Sequence, residues 1–259
     1  MLKNKKLFLF DMDGTIYHED KLINGALELF SLLEEKNKEY IFITNNSSKS
    51  IEVYLEKLKK MGIKVSRDNF FTSAQATIIY LKENKLDKNV YIVGTEAFKK
   101  ELKENGIEIV EKDKAKNLIV GFDTELHYKK LEDACSLLFD GVNYIATNPD
   151  LACPIKDKKF IPDCGSICEM LYLVTKRYPF YIGKPRKEMV EILMKEKGYR
   201  REDIVVIGDR LYTDIACGIN AGVTSVLVLT GETTKEDLKT TNYLPDFVFE
   251  SVKEIIKEI

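Results

Sequence analysis

Histidine is nearly missing from this chain: only His18 and His127 occur in 259 residues. No Ser-His-Asp arrangement stands out with so few, and both are read as surface residues. Cysteine adds little. The five are Cys135, Cys153, Cys164, Cys168 and Cys217. Cys153, Cys164 and Cys168 could be imagined as zinc ligands, but they form no C-x2-C pair and neither histidine is close. Reduced thiols are expected. There is no G-x-x-x-x-G-K-[ST] and no G-x-G-x-x-G, which removes the P-loop and dinucleotide fingerprints. A large charge excess is missing too. At net charge -2 and pI near 5.9, nothing electrostatic calls for nucleic acid or an anionic membrane as partner. No apolar stretch approaches the roughly 20 residues that span a bilayer. The start, "MLKNKKLFLFDMD", is basic, but its apolar run is short and broken at once by acids. A secretory signal is not expected, and a cytoplasmic chain is. No Pro/Gly/Ser-rich linker, repeat or low-complexity tract appears.

The chain does have 44% hydrophobic and 32% charged residues, enough for a core inside a solvated surface. Strand-length apolar runs alternate with amphipathic stretches: "KLFLF", "YIFIT", "PFYIG", "DIVVIG" and "TSVLVLT" with helical segments between. Near-continuous apolar strands separated by helices describe a parallel sheet covered on both faces, and the fold class is α/β. The middle repeats the theme as a self-sufficient α/β unit. It is read as an insertion, with core segments at 1–85 and 179–259 and the inserted unit at 86–178.

Polar residues stand at the ends of the strands of the outer domain. "LFLF" leads to Asp11, Asp13 and Gly14; "YIFI" to Thr44, Asn45 and Asn46; "PFYIG" to Lys184 and Pro185; "VVIG" to Asp209 and then Asp214. Ligands of open α/β sheets bind outside the carboxyl ends of strands, so these groups are expected to converge on one crevice. Asp11 and Asp209 are hard oxygen ligands suited to Mg²⁺, which makes crowded acids tolerable. A carboxylate can attack phosphorus and split hydrolysis into two easier steps. Residues two apart in an extended segment face the same way, so Asp13 can serve as general acid and base. Thr44 and Asn45 offer neutral donors at an expected helix start, with Asn46, Ser47 or Ser48 as its cap. Lys184 supplies positive charge, and Pro185 suits the first position of the next helix. Each motif has a plainer reading as a turn, a cap or a surface lysine. The set, in this order, favours phosphoryl transfer.

"DMDGT", "TNN", "GKP" and "GDRLYTD" resemble the four signature motifs of the haloacid dehalogenase (HAD) superfamily of phosphatases. With "ATNPD" and "PDCGSI", and the large gap between the second and third motifs, the chain resembles its NagD-like, subfamily IIA or 4-nitrophenylphosphatase-like branch. The resemblance implies a Rossmann-like three-layer core with a mostly parallel sheet and an inserted α/β cap domain. It implies Asp11 as nucleophile and Mg²⁺ ligand, and Asp13 as acid/base and ligand through its carbonyl. Thr44 and Asn45 would hold the phosphoryl group, Lys184 would neutralise it, and Asp209 would complete the metal site. Asp214 would orient Lys184 or a metal-bound water, and Asp150 would read the substrate. The expected activity is hydrolysis of a small phosphomonoester such as a sugar phosphate, nucleoside monophosphate, pyridoxal phosphate-like compound or phosphoglycolate. The rivals are a phosphotransferase or mutase using the same aspartyl-phosphate, and a non-catalytic phosphate-binding regulatory protein. Monomer and homodimer both stay open.

Overall fold

The computed structural model describes residues 2–155 and 159–259. The chain enters a first sheet at β1 (Leu7–Phe10), makes an antiparallel hairpin of β2 (Tyr17–His18) and β3 (Lys21–Leu22), and returns at β4 (Glu39–Thr44) and β5 (Phe70–Thr72). A second set comes next: β6 (Asn89–Val93), β7 (Glu108–Ile109), β8 (Asn117–Val120), β9 (Asn143–Ala146), β10 (Ala152–Ile155), β11 (Lys159–Pro162) and β12 (Phe180–Tyr181). The first sheet is completed by β13 (Ile204–Gly208), β14 (Thr224–Val228) and β15 (Phe247–Phe249). Two compact units result. One is Met1–Thr44, Ile51–Phe71 and Lys184–Ile259; the other is Asn45–Ser50 and Thr72–Gly183.

In the first unit the spatial order is β15-β14-β13-β1-β4-β5, with β1 parallel to both β4 and β13. Every residue of β1 and β13 is buried, as a sheet covered on both faces requires. Val226 and Val228 pack with Phe8, Phe10 and Phe42 under the helices Ala26–Glu35 and Ile51–Lys60. Between them, Leu227 packs with Leu211 and Ile215 in a separate cluster. Alternate residues of a strand face opposite ways, so helical layers lie on both sides of the sheet. Register places Phe10 opposite both Phe42 and Ile207. The residues just beyond these three strands therefore surface side by side.

In the second unit the order is β12-β9-β8-β6-β7, each neighbouring pair parallel, and β10 and β11 form a separate antiparallel pair. Its core gathers Leu118, Val120, Leu137, Ile167 and Leu171, with the unpaired cysteines Cys164 and Cys168 fully buried among them.

Two details differ from the sequence expectation. Helix Ser73–Glu83 and "PFYIG" fall within the expected core segments 1–85 and 179–259, but both lie in the second unit. The helix carries Tyr80, whose ring stacks on Phe180 at 5.0 Å, and β12 pairs in parallel with β9. Periodicity identifies an amphipathic helix or an apolar strand, but it does not say which of two parallel sheets the element joins.

Phe42 is fully buried, with ring centroids of Phe30 at 5.2 Å, Phe70 at 5.5 Å and Tyr40 at 5.8 Å. Phe42→Ala is expected to cost about 3–5 kcal/mol through lost transfer energy and the cavity left behind. Urea unfolding with an unchanged m-value checks this.

Candidate active site

Asp11 extends β1 by one step: its N–H donates to the Ile207 carbonyl at 2.9 Å. Its carboxylate meets Lys184, which is buried and donates at 2.6 Å to Asp11 Oδ1 and at 2.6 Å to Asp214 Oδ1. A third, longer contact runs from Lys184 Nζ to the Ile43 carbonyl at 3.3 Å. Asp214 sits in a π-type turn, Leu211–Ile215, and its Oδ2 accepts from the Arg210 N–H at 3.2 Å. One ammonium thus joins strand ends β1 and β4 to the turn after β13.

Asp209 comes directly after β13 and is buried. Its Oδ2 accepts from the Glu232 N–H at 2.7 Å, and its carbonyl accepts from the Thr233 N–H at 3.2 Å. The loop after β14 therefore folds back over this carboxylate, and Thr230 fastens it by donating to the Gly14 carbonyl at 2.6 Å. Main chain crowds Asp209 so closely that a Cβ on Gly231 would lie 1.9 Å from its Oδ2, and one on Gly14 2.6 Å from it. Gly14 also holds φ +81°, which side chains rarely tolerate.

The remaining oxygen, Asp209 Oδ1, is buried without a hydrogen-bond partner. A buried carboxylate oxygen left unsatisfied is costly unless a cation meets it. Asp11, Asp209 and Asp214 each bring one oxygen within 4.8 Å of the others. This all-oxygen donor set fits a hard divalent cation.

Burial pushes the Asp209 carboxyl up to about 8, with the charges of Asp11 and Asp214 adding to the rise. Burial likewise pushes Asp11 up to about 6, opposed by Lys184 and assisted by Asp214. For Lys184 burial acts downward, but Asp11 and Asp214 outweigh it and its pKa rises. Arg210 rises in the same way against burial, held charged by Asp11, Asp209 and Glu232. Its Nε pairs with Glu232 Oε2 at 2.9 Å, and Tyr212 donates to Glu232 Oε1 at 2.7 Å. Arg210 and Glu232 are absent from the residues expected at the site. Only adjacency to Asp209 could have pointed to Arg210, and nothing in the sequence ties Glu232 to it.

Asp13 is exposed, just before the turn at Gly14, and Thr44 is buried as the last residue of β4. Asn45 begins the second unit, where its Nδ2 donates to Asp150 Oδ2 at 3.0 Å. No helix starts at Thr44 or Asn45, contrary to expectation; the next helix begins at Ile51. Asn46 Oδ1 instead accepts from the Ser48 N–H and hydroxyl, and Ser47 accepts from the Phe122 N–H, so these side chains are spent on the loop's own turn and anchorage. Pro185 does not open its helix either. The Lys184–Pro185 bond is cis and the helix starts at Glu188. His18 and His127 are exposed.

Sequence models of two families match: haloacid dehalogenase-like hydrolase over residues 8–108 and HAD-hydrolase-like over 181–255. An acid sugar phosphatase of Staphylococcus saprophyticus is 33% identical over 258 residues, covering 100% of this chain and 99% of its own. The 5'-nucleotidase YutF of Bacillus subtilis is 32% identical over 258 residues, covering 100% of both chains. The chain belongs to the haloacid dehalogenase-like hydrolases. The crystal structure of a 4-nitrophenylphosphatase from Thermotoga maritima superposes with a TM-score of 0.94 at 40% identity, over 99% of this chain and 98% of that one. Within the family it is a phosphatase of the NagD-like, 4-nitrophenylphosphatase-like branch. No helix among the described residues is long and apolar enough to cross a membrane.

The raised carboxyls set a pH dependence in chelator. The unfolded chain releases these protons near the ordinary carboxylate value of 3.8, while folded Asp11 and Asp209 keep them to about 6 and about 8. Stability contributed by the protonated forms is complete below that ordinary value and is lost as pH rises through the folded values. Melting temperature in EDTA should therefore fall between pH 5 and pH 8, most steeply towards the lower end, where both carboxyls still hold their protons. Differential scanning calorimetry of the wild type and of Asp209→Asn, in which the fall should be shallower, checks this.

Proposed function

We propose that this chain is a Mg²⁺-dependent phosphomonoesterase that works through an aspartyl-phosphate on Asp11. The observation that carries the reading is the three-carboxylate cluster, with Lys184 shared between two of its acids and a buried Asp209 oxygen left without a partner. Lys184 engages Asp11 Oδ1, which leaves Oδ2 to attack phosphorus. As the new Asp11–phosphorus bond forms, the bond to the leaving oxygen breaks and Asp13 gives that oxygen its proton. Asp13 then takes a proton from water, whose oxygen attacks phosphorus, releases inorganic phosphate and restores the Asp11 carboxylate. Exposure of Asp13 suits this double duty, because solvent can exchange its proton.

Thr44 and the adjoining Asn45 are assigned to the phosphoryl oxygens, and Lys184 to the charge that builds on them. Asp11, Asp209 and the Asp13 carbonyl would hold Mg²⁺, which shields the anionic nucleophile from the anionic ester. Asp214 holds Lys184 in place. Gly14 allows close approach of the main chain, and Asn46 shapes the loop that carries Asn45. Similarity to an acid sugar phosphatase, a 5'-nucleotidase and a 4-nitrophenylphosphatase supports a small organophosphate as substrate. A small-molecule substrate and a cytoplasmic setting complete the reading.

Inorganic phosphate release should be measured from sugar phosphates, nucleoside monophosphates, pyridoxal phosphate, phosphoglycolate and 4-nitrophenyl phosphate. Release is expected with Mg²⁺, not with EDTA, and should fall by roughly a thousandfold or more in Asp11→Asn, as loss of a nucleophile does. A folded wild type that releases phosphate from none of them would overturn the reading.

A further inference from the structure

Asn45 is buried, and its amide lies in a slot with two differing walls. On the oxygen side is Gly183: a Cβ there would stand 2.5 Å from Asn45 Oδ1, so main chain packs directly against that end. On the nitrogen side is Asp150, whose Oδ2 accepts from Nδ2 at 3.0 Å. A carboxylate accepts and does not donate, so it admits only the NH₂ end of the amide. Asp150 therefore selects one of the two flips and fixes the plane in which the amide hydrogens point.

Both partners are tied down by their own backbones. The Asn45 carbonyl accepts from the buried Ser73 hydroxyl at 2.7 Å. The Asp150 carbonyl accepts from the Gly165 N–H at 2.8 Å, where a side chain could not fit because a Cβ would sit 2.2 Å from the Pro149 carbonyl oxygen. A buried chain links the two segments a second time. Ser47 Oγ meets Thr147 Oγ1 at 3.0 Å, Thr147 donates to Asn148 Oδ1 at 2.8 Å, and Asn148 Nδ2 donates to Asp163 Oδ1 at 3.2 Å. Such a network has little freedom to relax around a misplaced amide.

We infer that Asp150 is a positioning residue for Asn45: it holds the amide in the orientation that presents N–H to a phosphoryl oxygen, and so acts on the group common to every substrate. This deepens the proposed function and rests on it, replacing substrate selection by phosphate positioning as the task of Asp150. Its distinguishing consequence is indifference to the leaving group.

The test is competitive inhibition by inorganic phosphate, which has no leaving group, measured beside kcat and KM for 4-nitrophenyl phosphate and a sugar phosphate in Mg²⁺. Asp150→Ala should raise the phosphate Ki by roughly tenfold, the size of a lost charge-assisted hydrogen bond, and lower kcat/KM for both substrates by a common factor. Asp150→Asn, which keeps an acceptor oxygen, should recover part of both. In an Asn45→Ala background neither change should add more than about twofold, because the residue acted upon is gone. An unmoved phosphate Ki with a loss confined to one substrate would overturn the inference in favour of substrate reading, as would full additivity with Asn45→Ala. If Asp150→Ala does not fold, Asp150→Asn alone and in the Asn45→Ala background decides by the same two criteria. Wild-type turnover separates the two claims. A wild type without activity removes the proposed function, whereas an active wild type with unmoved phosphate inhibition removes only this inference.

Discussion

The first unit's polar centre depends on one buried ammonium. Lys184 is held at equal 2.6 Å distances by Asp11 and Asp214, so the charge of each acid is tolerable only while the lysine is in place. Buried ion pairs add little net stability, but removing one partner from such a pair typically costs about 3–5 kcal/mol. The constraint is geometric as well as electrostatic. Asp11 is delivered by β1, Asp214 by the π-type turn, and the Ile43 carbonyl by β4, so the lysine fastens three elements whose strands already lie in register. A wider turn than the α-helix repeat lets Asp214 reach back towards the end of β13, and such turns recur at functional sites.

Around that centre, main chain does much of the positioning. The loop after β14 donates through the Glu232 and Thr233 amides to Asp209, and Thr230 closes the loop onto Gly14. Side chains such as Arg210, Tyr212 and Glu232 brace it from the partly exposed side. The division of labour comes from space: with a Cβ at Gly231 or Gly14 excluded by Asp209 itself, these two positions meet the carboxylate with backbone alone.

Much of this was legible in the sequence because strand ends obey simple rules. "LFLF", "YIFIT" and "VVIG" read as buried parallel strands, and the polar residues at their carboxyl ends had to surface at one edge. The gathering of Asp11, Asp209 and Asp214 needed no more than that. Allegiance of elements was not legible: the apolar pair Phe180–Tyr181 satisfies either sheet equally well by composition, and only its pairing with β9 decides. Turn detail was hidden for a different reason. Asn46, Ser47 and Ser48 have side chains that can cap a helix or bond within a loop, and the distance to Ile51 tips them to the latter. Glu232 could not be foreseen at all, since its amide rather than its side chain makes the contact with Asp209.

The backbone bond to Asp209 Oδ2 also sets how firmly a cation can be owned. With Oδ2 already accepting from a main-chain N–H, Oδ1 is the oxygen of Asp209 that no hydrogen bond engages. A shell so thinly supplied by protein must be filled from water or from the ligand's own oxygens. Ownership of an ion there would be shared with whatever the site is holding, and its residence would track the free cation level of the surroundings. The lysine and the loop are fastened by the chain's own groups. A cation held at such a site would be an exchangeable reagent rather than a structural part.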